Sequence, residues 1–204
     1  MSFATLQPIA LAFTGASGIP YGLRLLECLL QTERPVYLMV SPAAQVVFAM
    51  ETTLKVPSQP EQQQAFFTQL YNAKPGQLSV FGQQQWSAPV ASGSGAPEAM
   101  VICPCTSGCI GAIASGMSDN LIERAADVAI KEQRKLILVH RETPLSALHL
   151  ENLLKLARLG VTILPANPGF YNKPASINDL VDFVVARILD HLAITHNLQP
   201  RWGD

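Results

Sequence analysis

Five short apolar runs, each followed by a helical pattern, constrain this chain more than any other feature. Ile9–Phe13, Val36–Val40, Met100–Cys103, Lys135–Val139 and Val161–Leu164 are the length of strands. Strands alternating with helices read as βαβ units, and a parallel sheet covered on both faces explains why the runs are apolar without a break. The punctuation agrees. Pro20 suits the first turn of a helix whose Leu23, Leu26 and Leu30 fall at helical spacing. Ser41-Pro42 is a cap-then-proline start for a helix to about Met50. A helix from about Leu145 to Leu159 ends at Gly160, and Ser176 with Asp179 opens the last helix, through about Leu192.

Ser58–Trp86 breaks this rhythm. It holds nine glutamines and two charges, with Pro60, Pro75 and Gly76 as breakers. It reads as a polar surface excursion, extended to 58–98, with one helix around Glu61–Tyr71. The rest of 1–204 reads as one domain with a C-terminal tail at 195–204.

Composition narrows the partners. Fourteen Lys and Arg against fifteen Asp and Glu leave a net charge of −1, without the basic clusters that nucleic acid demands. Charged residues make up 14% of the chain, against a usual ~25%, so a weakly polar surface points to a homo-oligomer. The uncharged stretch Ala99 to Ser118, of spanning length, contains Pro104, three glycines and four hydroxyl residues, so no membrane span is expected. No Lys or Arg precedes Arg24, and Ile9–Phe13 is too short for a signal core; a cytoplasmic location follows as an expectation. Three of the four cysteines crowd into Cys103–Cys109, a poor disulfide framework, and a zinc site lacks a fourth ligand at the usual spacing. No metal is expected.

In open parallel sheets, ligands bind beyond the carboxyl ends of the strands. Those loops hold Gly15-Ala16-Ser17-Gly18, Ser41, Pro104-Cys105-Thr106-Ser107-Gly108, Arg141-Glu142-Thr143 and Asn167–Tyr171. Small residues before a helix let N–H groups approach an anion. The glycines at 15, 18 and 22 do not make GxGxxG, and Ser41 stands where a ribose-binding acid belongs, so a dinucleotide is poorly served. A ligand-free glycine turn and a mononucleotide cradle both fit. Arg124 and Lys131 lie seven apart on one helical face, about 10 Å along the axis. Either they serve a ligand, or Asp127 and Lys131 form an ordinary surface pair. Arg141-Glu142 follows a buried strand, where Arg can fork onto phosphate and Glu can act as acid or base. Tyr171 reads as packing or as a hydroxyl over the site, and Trp86 as a packing anchor. His140, His149, His191 and His196 form no discernible arrangement.

With these residues laid out, the chain resembles the UbiX-like flavin prenyltransferases over nearly its whole length, from Thr14-Gly-Ala-Ser-Gly18 to Leu189-Asp190. The most specific stretches are Ser115-Gly-Met-Ser-Asp-Asn-Leu-Ile-Glu-Arg-Ala-Ala-Asp127, Arg141-Glu-Thr-Pro-Leu145 and Pro165 through Phe170-Tyr171-Asn172. The resemblance implies a single-domain Rossmann- or flavodoxin-like three-layer α/β sandwich with a mainly parallel sheet, assembled as a homododecamer with sites between subunits. It implies reduced FMN held by Gly15, Ala16, Ser17, Ser41, Thr106, Ser107, Gly108, Cys109 and Arg141. Dimethylallyl phosphate would lie against the flavin, gripped by Arg124, Lys131, Glu142, Tyr171 and Arg187, with Trp86 near the prenyl group. Glu142, Ser17 and Lys131 are the implied catalytic residues. The product, prenylated at N5 and C6, serves a UbiD-like decarboxylase. Cys109 replaces a hydroxyl residue common in the family's third loop, so a side-chain hydrogen bond there is weaker. Two other readings stand beside this one: a flavin-dependent cysteine decarboxylase, faintly echoed by Asn167 and His149, and a non-enzymatic flavin-binding oligomer.

Overall fold

The computed structural model describes residues 6–200. Its sheet comprises β1 (Ile9–Phe13), β2 (Val36–Val40), β3 (Leu78–Phe81), β4 (Ala99–Cys105), β5 (Lys135–His140) and β6 (Thr162–Pro165). All neighbours are parallel, in the order β3-β2-β1-β4-β5-β6. The helices are α1 (Ile19–Gln31), α2 (Pro42–Glu51), α3 (Pro60–Tyr71), α4 (Ser107–Ala114), α5 (Leu121–Lys131), α6 (Ala147–Arg158) and α7 (Ile177–His191). Among the described residues no helix is long and apolar enough to cross a membrane.

Pleating sorts the helices into two layers, because successive strand side chains point to opposite faces. Ile9, Leu11 and Phe13 pack with Leu25, Phe48, Phe67 and Val185, from α1, α2, α3 and α7. Ala10 and Ala12 pack with Ile110, Ala125 and Leu156, from α4, α5 and α6. This is the three-layer sandwich expected from the sequence, and β1 is buried at every position.

One element differs from the expectation. The sheet has six strands, not five, and the additional β3 lies inside the supposed polar excursion. Leu78 and Val80 alternate into the core, while Ser79 and Phe81 are half-buried, the pattern of an edge strand with one covered face. The glutamines around it are not all solvated. The Gln77 side chain donates to the Leu30 carbonyl at 2.7 Å, and Gln63 donates to that of Pro57 at 2.9 Å. Both are buried, so amide side chains there replace water as partners for backbone carbonyls. The expected helix in this segment is α3. Of the expected tail 195–204, positions 201–204 lie outside the described residues.

Helix α1 lies unusually close to the sheet. A Cβ on Gly22 would stand 2.4 Å from the Cys103 carbonyl oxygen and 2.6 Å from Phe13 Cε1. Helix propensity alone favours alanine over glycine by about 1 kcal/mol, whereas overpacking costs roughly 1–3 kcal/mol. The contact is with backbone, which cannot turn aside, so overpacking wins. Gly22→Ala should lower the urea midpoint of unfolding; a raised midpoint would show that α1 has room to retreat.

Candidate functional site

The chain runs outward from β1 to β2 in one direction and from β4 to β5 in the other, so a crevice opens between the carboxyl ends of β1 and β4. Thr14 holds its two sides together. Its N–H and hydroxyl both donate to the Pro104 carbonyl, at 3.2 and 2.7 Å, and the Thr106 N–H donates to the hydroxyl oxygen at 3.0 Å. The glycine loop and the third loop thus form one unit.

Two helices point their N-termini at this crevice. Ser41 caps α2, its Oγ accepting from the Ala44 N–H at 3.1 Å. Thr106 caps α4, its Oγ1 accepting from the Cys109 N–H at 3.0 Å. A hydroxyl that accepts as a cap keeps its own proton for a further acceptor, and first-turn N–H groups have no intrahelical partner. The resulting cleft, of about 430 Å³, is lined by Gly15, Ser41, Thr106, Gly108 and Cys109 together with Gln83, Asn120 and Glu123. A side chain at Gly108 would meet only Thr106 Oγ1, at 3.9 Å, so it would project into open space. Such a floor of hydroxyls, N–H donors and an absent side chain suits a flat ring bearing a phosphate.

The charged pair after β5 closes the crevice's other side. The Arg141 Nε donates to the Ser17 carbonyl at 3.2 Å, drawing this loop onto the glycine turn. The Ser107 hydroxyl donates to Glu142 Oε2 at 2.9 Å and lies 2.9 Å from His140 Nε2. The bond from Ser107, helped by the Thr143 N–H and Arg141, holds the Glu142 carboxyl below its usual range. Burial pushes the His140 imidazole below its usual value, against the opposing pull of Glu142.

The remaining nominated residues are elsewhere in this chain. Arg124 turns to the Ala91 carbonyl at 3.0 Å and to Asp127 at 2.8 Å. Lys131 pairs with Glu132, so the expected Asp127–Lys131 surface pair is replaced by two other pairs. Arg187 bonds Asp190 at 2.7 Å and shares a separate cavity of about 340 Å³ with Tyr171. The Tyr171 ring meets Phe183 edge-on at 5.6 Å and stays exposed, so it both packs and borders open space. Trp86 is 47% exposed, which makes it no packing anchor. Gln83, three residues before it, lines the cleft.

A larger groove, about 580 Å³, lies between α1 and α7 around the Arg24–Asp182–Glu27 ion cluster. It contains none of the nominated residues, and position at the strand ends rather than size identifies the site. Cys103 and Cys105 are buried and Cys109 half-buried, and among the described residues no His, Cys, Asp and Glu cluster is placed to hold a metal.

Four residues near the crevice escaped the sequence reading. Gln83 sits in a glutamine run and carries no signal. Asn120 is the N-cap of α5, accepting from Ile122 and Glu123, and an Asn before an amphipathic helix was a readable sign. Glu51, closing an otherwise uncharged helix, accepts from the Gly18 and Ile19 N–H groups at 2.9 Å each. It occupies the start of α1, where the sequence suggested an open anion site. His140 ends an apolar strand, and that contrast was its only sign.

Fold, strand-end cleft and paired anion-compatible loops define a flavoprotein, and the sequence pattern of the Flavoprotein family matches residues 4–189. The chain is 60% identical over 198 residues to the flavin prenyltransferase UbiX of Pseudomonas aeruginosa, covering 97% of this chain and 95% of that one. Its structure is similar to that of AnUbiX (PadA1) in complex with FMN and dimethylallyl pyrophosphate, with a TM-score of 0.86, 37% identity and 98% of each chain covered. It is also similar to a dodecameric FMN-dependent UbiX-like decarboxylase from Escherichia coli O157:H7, with a TM-score of 0.84, 35% identity, and 97% and 99% covered. The chain belongs to the UbiX flavin prenyltransferase family. The cysteine-decarboxylase reading also loses one of its two faint echoes, because His149 is a capping residue of α6, paired reciprocally with Ser146.

The Thr14 clasp yields a test. Thr14→Val keeps the shape but strands the Thr106 N–H, a loss of about 1–3 kcal/mol. Flavin affinity, read by fluorescence titration, should weaken about tenfold; an unchanged affinity would mean the two loops hold their places without the hydroxyl.

Proposed function

We propose that the chain transfers a dimethylallyl group from dimethylallyl phosphate to N5 and C6 of reduced FMN, giving the prenylated flavin used by a UbiD-like decarboxylase. The observation that carries this reading is the Arg141-Glu142 pair, fastened to the glycine loop on one side and to Ser107 of the third loop on the other. Charges so fixed beside a flavin-sized cleft suit a small phosphate ester better than a neutral substrate. The complex of AnUbiX (PadA1) with dimethylallyl pyrophosphate supports the donor class.

The residues divide the work as follows. Gly15, Ala16, Ser17, Ser41, Arg141 and the stretch Thr106–Cys109 hold the flavin phosphate and ring. When bound, the reduced flavin supplies the nucleophilic positions. Arg124, Lys131 and Arg187 stabilise charge on the leaving phosphate without a metal, and fixed charges in a dry site contribute several kcal/mol. Trp86 faces the allylic carbon, where cation–π attraction contributes about 1–2 kcal/mol. Glu142, held as a carboxylate, would take up at Oε the proton released from the acceptor nitrogen as its bond to the allylic carbon replaces the carbon–oxygen bond, and would pass it to the departing phosphate. Ser17 positions the phosphate, and Tyr171 donates its hydroxyl to it.

In one chain the cations Arg124 and Lys131, the Glu142 cluster and the Tyr171–Arg187 cavity are three separate regions. A complete donor site therefore draws on neighbouring copies, and the E. coli dodecamer supports a homododecamer. We place the protein in the cytoplasm, a reading supported by its four free cysteines.

Two measurements test the proposal. Glu142→Gln should abolish prenylated-flavin formation under anaerobic reducing conditions while flavin still binds; a new flavin mass at the normal rate would remove Glu142 from the chemistry. Glu142→Gln and Arg187→Ala should each be inactive alone, yet co-expressed chains should recover part of the activity, because some sites draw both intact residues from different copies. Co-expressed oligomers with no recovery would place the two residues in a single copy's site.

A further inference from the structure

We propose that His140 is a positioning residue for Glu142, acting through the hydroxyl of Ser107. The inference rests on Glu142 handling a proton, as proposed above, and adds what prepares it to do so.

Ser107 Oγ has one proton and two near neighbours, Glu142 Oε2 and His140 Nε2, each at 2.9 Å. An ionised carboxylate only accepts, so the hydroxyl proton goes to Glu142. The imidazole must then be the donor, with its hydrogen on Nε2 and the serine lone pair accepting. The direction of the chain is set: His140 Nε2–H to Ser107 Oγ, and Ser107 O–H to Glu142.

That direction is opposite to a nucleophilic triad, where an imidazole accepts the serine proton and a carboxylate orients the imidazole. Here the serine is not activated; it is oriented. His140 is 4% exposed at the end of β5, and its backbone pairs in register with Cys105 of β4. Burial keeps the ring neutral, and the charged and titratable groups facing it are Glu142, His149 and Arg141. Arg141 and His149 both oppose a positive ring, and both also favour the Glu142 anion. The neutral donor and the ionised acceptor therefore support each other.

The geometry explains why such a clasp is needed. Glu142 lies on an exposed loop, where a Glu side chain keeps most of its rotamer freedom. His140 and Glu142 are two apart at the end of an extended segment, so their side chains leave on the same side. Ser107, in the first turn of α4, stands between them. The buried ring fixes the hydroxyl, and the hydroxyl fixes the carboxylate.

The test uses the full-length oligomer with reduced FMN and dimethylallyl monophosphate, following initial rates of prenylated-flavin formation from pH 3.5 to 8. Ser107→Ala and His140→Phe should each lower kcat at least about tenfold, and His140→Phe, which touches no residue's contact with the flavin directly, should do so with little change in KM for FMN. In both, the acid limb should move upward, since Glu142 loses the Ser107 bond that favours its anion in the first variant and the orientation of that bond in the second, and so protonates sooner as pH falls. Ser107→Thr keeps the hydroxyl, and His140→Gln keeps an N–H at similar reach, so both should restore kcat and the acid limb. If His140→Phe behaves as wild type and His140→Gln is impaired, the ring is packing and the proposal is overturned. A wild-type profile for Ser107→Ala overturns it equally. Should His140→Phe fail to fold, the Ser107→Ala and Ser107→Thr pair decides. Glu142→Gln run alongside separates the two readings: if it is active, Glu142's role and this inference fall together. If it is inactive while Ser107→Ala is normal, only this inference falls.

Discussion

One threonine hydroxyl joins the two halves of the sheet at the point where they part. Beyond the ends of β1 and β4 the chain diverges, and nothing in a parallel ladder continues past the last paired residues. Thr14 supplies that continuation, donating to Pro104 and accepting from Thr106. Loops normally drift relative to one another on a nanosecond scale. Tied in this way, the glycine turn and the start of α4 move as one body, and every group that faces the cleft inherits its position from them. Arg141 extends the same unit by resting on the Ser17 carbonyl.

Around that junction, groups that stabilise the fold also furnish the site. Ser41, Thr106 and Asn120 are helix caps and cleft-lining residues at once. Removing such a hydroxyl would disturb both roles, so stability and affinity are not separable there. Helix α1 differs, because the Glu51 carboxylate already satisfies its first N–H groups. Anion affinity at the crevice thus falls to α2 and α4, with Arg141 as the neighbouring full charge. A glycine loop in a sequence suggests its own helix as the anion site; here the loop's contribution is its close approach, while the dipole that matters belongs to other helices.

The central strands were the most legible elements, because their interior positions carry no charge and are almost all apolar. Ser41, Gly160 and the Ser176–Asp179 box announced their helix ends and occupy them. Edge strand β3 was hidden, since one covered face leaves only Leu78 and Val80 as a signal among glutamines. Charge pairing within α5 was also beyond reach: Asp127 is three from Arg124 and four from Lys131, and both spacings fit a helix. The Ala91 carbonyl, which also holds Arg124, comes from a distant turn that periodicity cannot locate. Trp86 shows the opposite limit, for an aromatic residue in a polar segment gives no indication of whether its ring is covered. The loops proposed to carry the chemistry stood out in the sequence as polar strand ends, and four of the five meet around the crevice, while Tyr171 of the fifth borders a separate cavity. The bonds from His140 through Ser107 to Glu142 link positions 33 residues apart and needed coordinates.

The sheet is bounded by β3 and β6, each four residues long. Such stubs offer little free backbone to a foreign strand, a common protection against fibrous growth. Many of the uncovered apolar side chains are instead on helices: Val46 and Met50 on α2, Leu148, Leu150 and Leu154 on α6, Ile177 on α7. A contact between copies built on these patches would join helix face to helix face and leave the edge backbone of the sheet unused.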